Sequence, residues 1–231
     1  MVKSNGVRAG IKDIWNSYMV KGATFSSADI PFCPTTGEIP ENIITWTEAK
    51  ALYKRSPEID HNDYVCFYED DQKFDGEKGI WKKPDDALRV LKHFAGVITP
   101  DFSTYQDFPD PIKRFNTYRM RAFGYWLTKN NINVINNVRW GTFETYQYCF
   151  DGLPGNSILA IGTAGGSPRK IEDRVRFEEG LNELILRKRP HTLVIYGSSS
   201  YPIFDKLRNQ GIKICPYKGK TALAFERLGN V

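Results

Sequence analysis

This sequence lacks long apolar runs and closely spaced cysteines, and it has only three histidines. Charged residues interrupt every apolar stretch within a few positions, so none reaches the ~18–20 residues needed to cross a bilayer. The opening Met1-Val-Lys-Ser-Asn-Gly6 has no apolar signal-peptide core. The expectation is a cytoplasmic protein with no membrane partner. Cys33, Cys66, Cys149 and Cys215 are far apart, with no C-x-x-C pair and no histidine spaced for zinc. That removes zinc, haem and iron–sulfur from the expected cofactors, and leaves four reduced thiols that pack as small hydrophobes. The three histidines, His61, His93 and His191, stand before strands or at a helix end, which disfavours a histidine-rich metallohydrolase. A G-x-S-x-G elbow, a Walker loop and a G-x-G-x-x-G fingerprint are also missing.

What is present is ordinary globular composition. Of 231 residues, 41% are hydrophobic and 26% charged, which excludes a mainly disordered chain and suits one large domain or two small ones. Charge is uneven within the net +5: residues 1–100 carry 13 Lys/Arg against 15 Asp/Glu, and residues 101–231 carry 19 against 12. A basic second half suits phosphate-bearing partners, although a solvated basic surface explains so modest an excess equally well.

From about residue 60 a short β-rich run, a turn and a helical stretch repeat. Tyr64–Tyr68 leads to a helix over Pro84–Phe94, and Gly96–Thr99 to a long helix over Asp110–Asn130. Asn133–Val138 leads to Thr142–Phe150, Ser157–Ile161 to Lys170–Lys188, and Thr192–Tyr196 to Tyr201–Asn209, before a last strand at Gly211–Cys215. Upstream, Asp29–Cys33 and the helical Thr47–Arg55 form one more such unit. Six or seven βα units with near-continuous apolar strands predict a mainly parallel sheet covered by helices. The fold class is therefore α/β, with a TIM-like barrel, complete or incomplete, as first expectation and a doubly wound open sheet as alternative. Residues 1–28 read as an N-terminal arm with one helix at Ile11–Val20, and residues 29–231 as a single α/β domain.

Several blocks carry a family resemblance. Val65-Cys-Phe-Tyr-Glu-Asp-Asp71, Ile80-Trp-Lys-Lys-Pro84 and Val97-Ile-Thr-Pro-Asp-Phe-Ser103 resemble the first blocks of an uncharacterised family found in phages, prophages and mobile elements. Tyr118-Arg-Met-Arg121, Val138-Arg-Trp140, Cys149-Phe-Asp-Gly-Leu-Pro154 and Ile195-Tyr-Gly197 are similar to its later blocks, in order, over residues 60–200. The resemblance implies a phage or mobile-element origin. The family is a domain of unknown function, so it supplies no catalytic residue.

In parallel βα folds the C-terminal strand ends surround one crevice, where function gathers. That rule selects Asp70 and Asp101 on the early strands and Arg139 on the middle one as candidate catalytic residues. Asp70 and Asp101 would be the pair to hold Mg²⁺, whereas Glu69 and Asp71 read as a solvated acidic turn. The loop Gly162–Lys170 follows an apolar strand and precedes a helix, an arrangement suited to anions. Thr163, Gly165, Gly166, Ser167 and Arg169 are its candidate phosphate binders, joined by Gly197, Ser198 and Ser199 from the next junction. The bland alternatives are flexible turns and a helix capped by Ser200. Two charges fall on apolar helix stripes: Arg119 among Ile112, Phe115, Ala122, Phe123 and Trp126, and Glu178 among Ile171, Val175, Leu181 and Ile185. A structural ion pair is the plainest account of either, with contact between Arg119 and Asp101 as the functional variant.

Three functions fit. The first is an enzyme acting on a phosphate-bearing ligand, a nucleotide or nucleic acid. The second is a non-catalytic nucleic-acid binder, and the third a host-interaction protein that sequesters a host protein or a signalling nucleotide. Nothing in the sequence sets an oligomeric state.

Overall fold

The computed structural model describes residues 13–163, 171–220 and 222–224. Seven strands alternate with helices: β1 (Asn42–Thr45), α1 (Trp46–Arg55), β2 (His61–Cys66), α2 (Pro84–Leu91), β3 (Phe94–Ile98), α3 (Asp110–Lys129), β4 (Val134–Asn137), β5 (Ile158–Gly162), α4 (Ile171–Lys188), β6 (Thr192–Tyr196), α5 (Pro202–Asn209) and β7 (Lys213–Tyr217). Helix starts follow local chemistry. Thr45 and Glu48 close a reciprocal capping box on α1, while α2, α3 and α5 carry proline in the first turn, where its missing N–H costs nothing.

Every strand pair is parallel, and the spatial order β1-β2-β3-β4-β5-β6-β7 equals the chain order. An order without reversal has no topological switch point, so the doubly wound alternative is excluded. Each connection steps one strand in the same direction, and crossovers of one hand then keep all helices on one face. Side-chain alternation confirms the division. Val65, Val97, Val134, Leu159, Leu193 and Ile195 pack outward with helical residues in two clusters. Ile43, Tyr64, Cys66, Ile98, Ile135, Ala160 and Val194 form a third cluster that contains no helical residue. The sheet curls around that third cluster as an incomplete barrel, with β1 and β7 not paired to each other.

The gap between those edges is bridged by side chains. The Tyr217 hydroxyl donates to the Pro40 carbonyl, and Lys220 lies 3.7 Å from carboxylates of both Glu48 and Glu69. The segment 33–40 crosses the concave face: the amides of Thr36 and Gly37 donate to the Val134 carbonyl at 2.9 and 3.0 Å. A Cβ on Gly37 would stand 3.0 Å from both Ile135 Cγ1 and the Tyr64 hydroxyl, so a larger residue would push this segment off the sheet.

Four expectations are corrected. The first strand is Asn42–Thr45, not Asp29–Cys33, which makes only the bridge between Phe25 and Pro31; Pro31 has no N–H for a ladder. The helix expected over Thr142–Phe150 shortens to a 3-10 turn at Phe143–Gln147. The N-terminal helix becomes a 3-10 turn at Ser17–Val20, whose Met19 and Val20 are buried in the first cluster. The last strand begins at Lys213, not Gly211, whose φ of +87° ends α5 instead.

Candidate functional site

The C-terminal ends of β2, β3 and β4 meet in a buried polar network centred on Asn137. Its amide donates to Thr99 Oγ1 at 2.8 Å, and its Nδ2 donates to Asp101 Oδ1 at 2.9 Å. Its Oδ1 accepts from the Tyr68 hydroxyl at 2.9 Å. Asp101 Oδ2 takes a charge-assisted bond from Arg139 Nη1 at 3.0 Å. Burial, with the Asp101 charge adding, holds the Tyr68 phenol well above its usual range, so it stays a donor. The Tyr68 ring stacks on Tyr196 at 5.3 Å, and a Cβ on Gly162 would overlap that ring. The end of β5 must therefore be glycine for the network to sit where it does.

Asp70 and Asp71 differ in exposure in the opposite sense to that expected. The Asp70 side chain is 86% exposed and faces Lys73 at 3.7 Å, whereas Asp101 is buried. Asp71 is half-buried, and its Oδ1 accepts from Ser103 Oγ at 3.0 Å. Burial pushes the Asp71 carboxyl upward and the nearby charges of Asp101 and Asp75 add to the shift, against the Ser103 hydrogen bond and Arg139. Glu69 is no solvated residue either: its side chain is 4% exposed, and Oε1 accepts from the amide and hydroxyl of Thr47 in the first turn of α1, both at 2.9 Å. Adjacent acids diverge because a 3-10 turn begins at Asp71 and turns successive side chains apart. Among the described residues no group of three or more His, Cys, Asp or Glu could hold a metal.

Beside this network lies a cleft of about 210 Å³. Its floor is Val138, Ile161 and Gly162. One wall is Thr104, Tyr105 and Gln106 after β3, another is Arg139 and Trp140 after β4, and the third is Asp173, Arg176 and Phe177 on α4. Trp140 rests on Phe177 and Phe150, with ring centres 5.5 and 6.2 Å away. A Cβ on Gly180 would overlap its indole, so that glycine lets α4 close on the wall. Arg176 Nη2 pairs with Asp173 at 2.7 Å. With the Gln106 amide oriented to suit them, its oxygen accepts from Arg176 Nε and Nη2 at 2.8 and 3.1 Å. Thr104 is 3% exposed, and its hydroxyl has no hydrogen-bond partner among the described residues.

The late junctions differ from the expected cradle. Thr163 is buried, its amide donates to the Tyr196 carbonyl at 2.9 Å, and its hydroxyl donates to the Ser198 carbonyl at 2.9 Å. Gly197, at φ +116°, donates its amide to the Tyr217 carbonyl at 2.8 Å. Both residues knit β5, β6 and β7 together and have no N–H left for an anion. Ser198 is exposed and shares a 2.8 Å hydroxyl contact with Ser200, while Ser199 is half-buried. The residue capping α5 is Tyr201, without a side-chain cap bond, so Ser200 is not the cap. Gly165, Gly166, Ser167 and Arg169 lie outside the described residues.

A family model described as Domain of unknown function (DUF4417) matches residues 23–218. The chain belongs to this family. It is similar to the Gene 1 protein of Mycobacterium phage D29, 30% identical over 183 residues, which are 76% of this chain and 63% of that protein. It is also similar to the Gene 1 protein of Mycobacterium phage L5, 31% identical over 179 residues, covering 74% of this chain and 72% of that protein. No solved structure matches. The resemblance to an uncharacterised phage family is borne out, and the match extends it on both sides of residues 60–200.

Buried charge in this DUF4417 fold is concentrated on α3. Arg119 binds Asp75 through both guanidinium ends at 2.7 and 2.8 Å and Asn116 Oδ1 at 2.6 Å, and covers the Phe102 ring at 3.9 Å. It is thus a structural ion pair, not a contact to Asp101. Ile112 and Phe115 of its expected stripe are exposed. Glu178 is half-buried, not buried: Ile171 and Val175 face solvent, and α4 packs through Gly180, Leu181 and Leu184. One charge that sequence reasoning missed is Arg121, fully buried, donating to the carbonyls of Asn137 (2.9 Å), Asp151 (3.2 Å) and Cys149 (3.2 Å). Burial lowers it to about 10, so it is charged at neutral pH. Its signal was its neighbours Met120, Ala122 and Phe123, all buried.

Proposed function

We propose that this phage-related protein binds a phosphate-bearing ligand, a nucleotide or nucleic acid, at the C-terminal ends of β3, β4 and β5. The observation that carries the reading is that Arg139 and Arg176, from different elements, border one cleft. Guanidinium groups recognise phosphate through paired N–H donors, and each here is held in place by one aspartate. Asp101 anchors Arg139, and Asp71, whose carboxyl burial pushes upward, stands close enough to Asp101 and Arg139 to share their field. If the ligand is turned over, these are the groups to move a proton and balance charge. Ser198 and Ser199 remain second candidates for phosphate contact.

The test is ligand-dependent stabilisation with phosphate, a nucleotide panel and short oligonucleotides at constant ionic strength. A ligand at ten times its Kd should stabilise the fold by about 1.4 kcal/mol, and Arg176→Gln should weaken that ligand by about tenfold. No response to any phosphate compound would refute the reading. The excess of basic residues over 101–231 favours a second one, non-catalytic nucleic-acid binding. It predicts affinity falling with salt, by about 0.9 in log–log slope per duplex phosphate contacted.

A further inference from the structure

We infer that the cleft between Trp140 and Tyr105 is a seat for one unpaired nucleobase. This rests on the reading of the strand ends as a phosphate-ligand site and names which part of the ligand enters. Three aromatic side chains from three elements, Tyr105, Trp140 and Phe177, line a space of about 210 Å³. That is smaller than the ~300–1,000 Å³ of pockets for drug-sized ligands, so it suits a single planar ring system better than a whole dinucleotide. A wall of aromatic carbon alone would suit any flat apolar molecule. Thr104, which lines the cleft, argues otherwise: its hydroxyl is buried with no partner among the described residues, and an orphaned buried polar group is costly unless a ligand satisfies it. A nucleobase edge offers both donors and acceptors to such a hydroxyl. The two arginines at the rim would then meet the phosphate attached to that base. Tyr105 is 51% exposed and packs edge-on against Phe108 at 5.0 Å, so part of its surface stays open to an inserted ring. Duplex bases are stacked and paired, so the ligand must be a free nucleotide or an unpaired residue of a strand.

Calorimetric titration of the whole chain with four ribonucleosides, their monophosphates, ribose 5-phosphate, a five-residue single strand and a hairpin duplex tests this. At least one nucleoside monophosphate or the single strand should bind about tenfold or more tighter than ribose 5-phosphate, the contribution of stacking one base. Tyr105→Ala and Trp140→Leu should remove that advantage and leave ribose 5-phosphate binding unchanged. Tyr105→Ala keeps the test valid if loss of Trp140 disturbs the fold. Thr104→Val should level the preference among bases. Mononucleotide binding would identify a free nucleotide as the source, and binding of the single strand alone would identify a strand residue. Equal affinity for ribose 5-phosphate and nucleotides, or for duplex and single strand, overturns the base seat while leaving phosphate binding intact. Tight binding of nucleosides with no gain from phosphate supports the base seat and removes the phosphate reading. No binding of any probe overturns both.

Discussion

Replacing Arg121 by methionine tests whether one buried cation holds the site's framework. The guanidinium donates to three main-chain carbonyls, Asn137, Cys149 and Asp151, which belong to the end of β4 and the loop that follows it. Methionine fills the same channel but takes the donor from three carbonyls, two of them in fully buried contacts. Each such group costs about 1–3 kcal/mol, and carbonyls sit toward the low end because they tolerate a missing partner better than N–H groups do. Against this, the variant no longer buries a charge, a saving of several kcal/mol. Each hydrogen bond to a charged group contributes about 1.5–3 kcal/mol, so the three together outweigh that saving and a net loss of about 3 kcal/mol is expected. For a chain of this size that lowers Tm by about 6–12 °C. Urea denaturation followed by circular dichroism at pH 7 should show a lower midpoint with unchanged slope. Arg121→Lys should fall between, since an ammonium cannot span three divergent carbonyls. A variant within about 1 kcal/mol of wild type would refute the argument, and would mean that desolvation of Arg121 cancels all three bonds.

Two further outcomes follow from the same geometry. Asp71 favours its proton in the fold, so as pH rises the unfolded chain ionises first, from about pH 3.9; the folded state then binds more protons and wild-type stability falls until Asp71 itself ionises. Asp71→Asn keeps an acceptor for Ser103, so it should match wild type below that window and exceed it at pH 7; a less stable variant at pH 7 would show instead that Arg139 makes the carboxylate favourable. Gly180→Ala should press α4 away from Trp140, cost about 1–3 kcal/mol as overpacking does and change tryptophan fluorescence; unchanged stability and emission would contradict the tight contact.

The fold was legible because its strands are self-announcing. Val65–Phe67, Leu159–Ile161 and Leu193–Ile195 are apolar on both faces, as strands between helices and a barrel interior must be. The first strand was missed for the opposite reason. Asn42–Thr45 has only two apolar residues, and lies at an edge where one side has no strand to meet. Asp29–Cys33 looked better by composition, yet its proline bars a ladder. Strand order was unreadable in principle, since the same βα series serves a barrel and an open sheet.

Residue placements at the site were less legible, and the reason is physical. Identical or similar neighbours are sorted by backbone turns whose direction is not encoded in composition: Asp70 went to solvent and Asp71 inward on the strength of one 3-10 turn. Glycine and serine content suggested an anion cradle after β5 and β6, but Thr163 and Gly197 spend their donors on neighbouring strands. The same bookkeeping separates structural from available charge. Arg119 and Arg121 are consumed by internal partners beneath the strand ends. Arg139 commits one nitrogen to Asp101 and lines the cleft, and Thr104 commits nothing. A parallel sheet needs no such residues to fold: apolar side chains would fill the positions of Asn137 and Asp101 at less cost in desolvation. Their concentration at one end of the strands, next to an aromatic cleft, is the departure from packing economy expected where a protein meets its ligand.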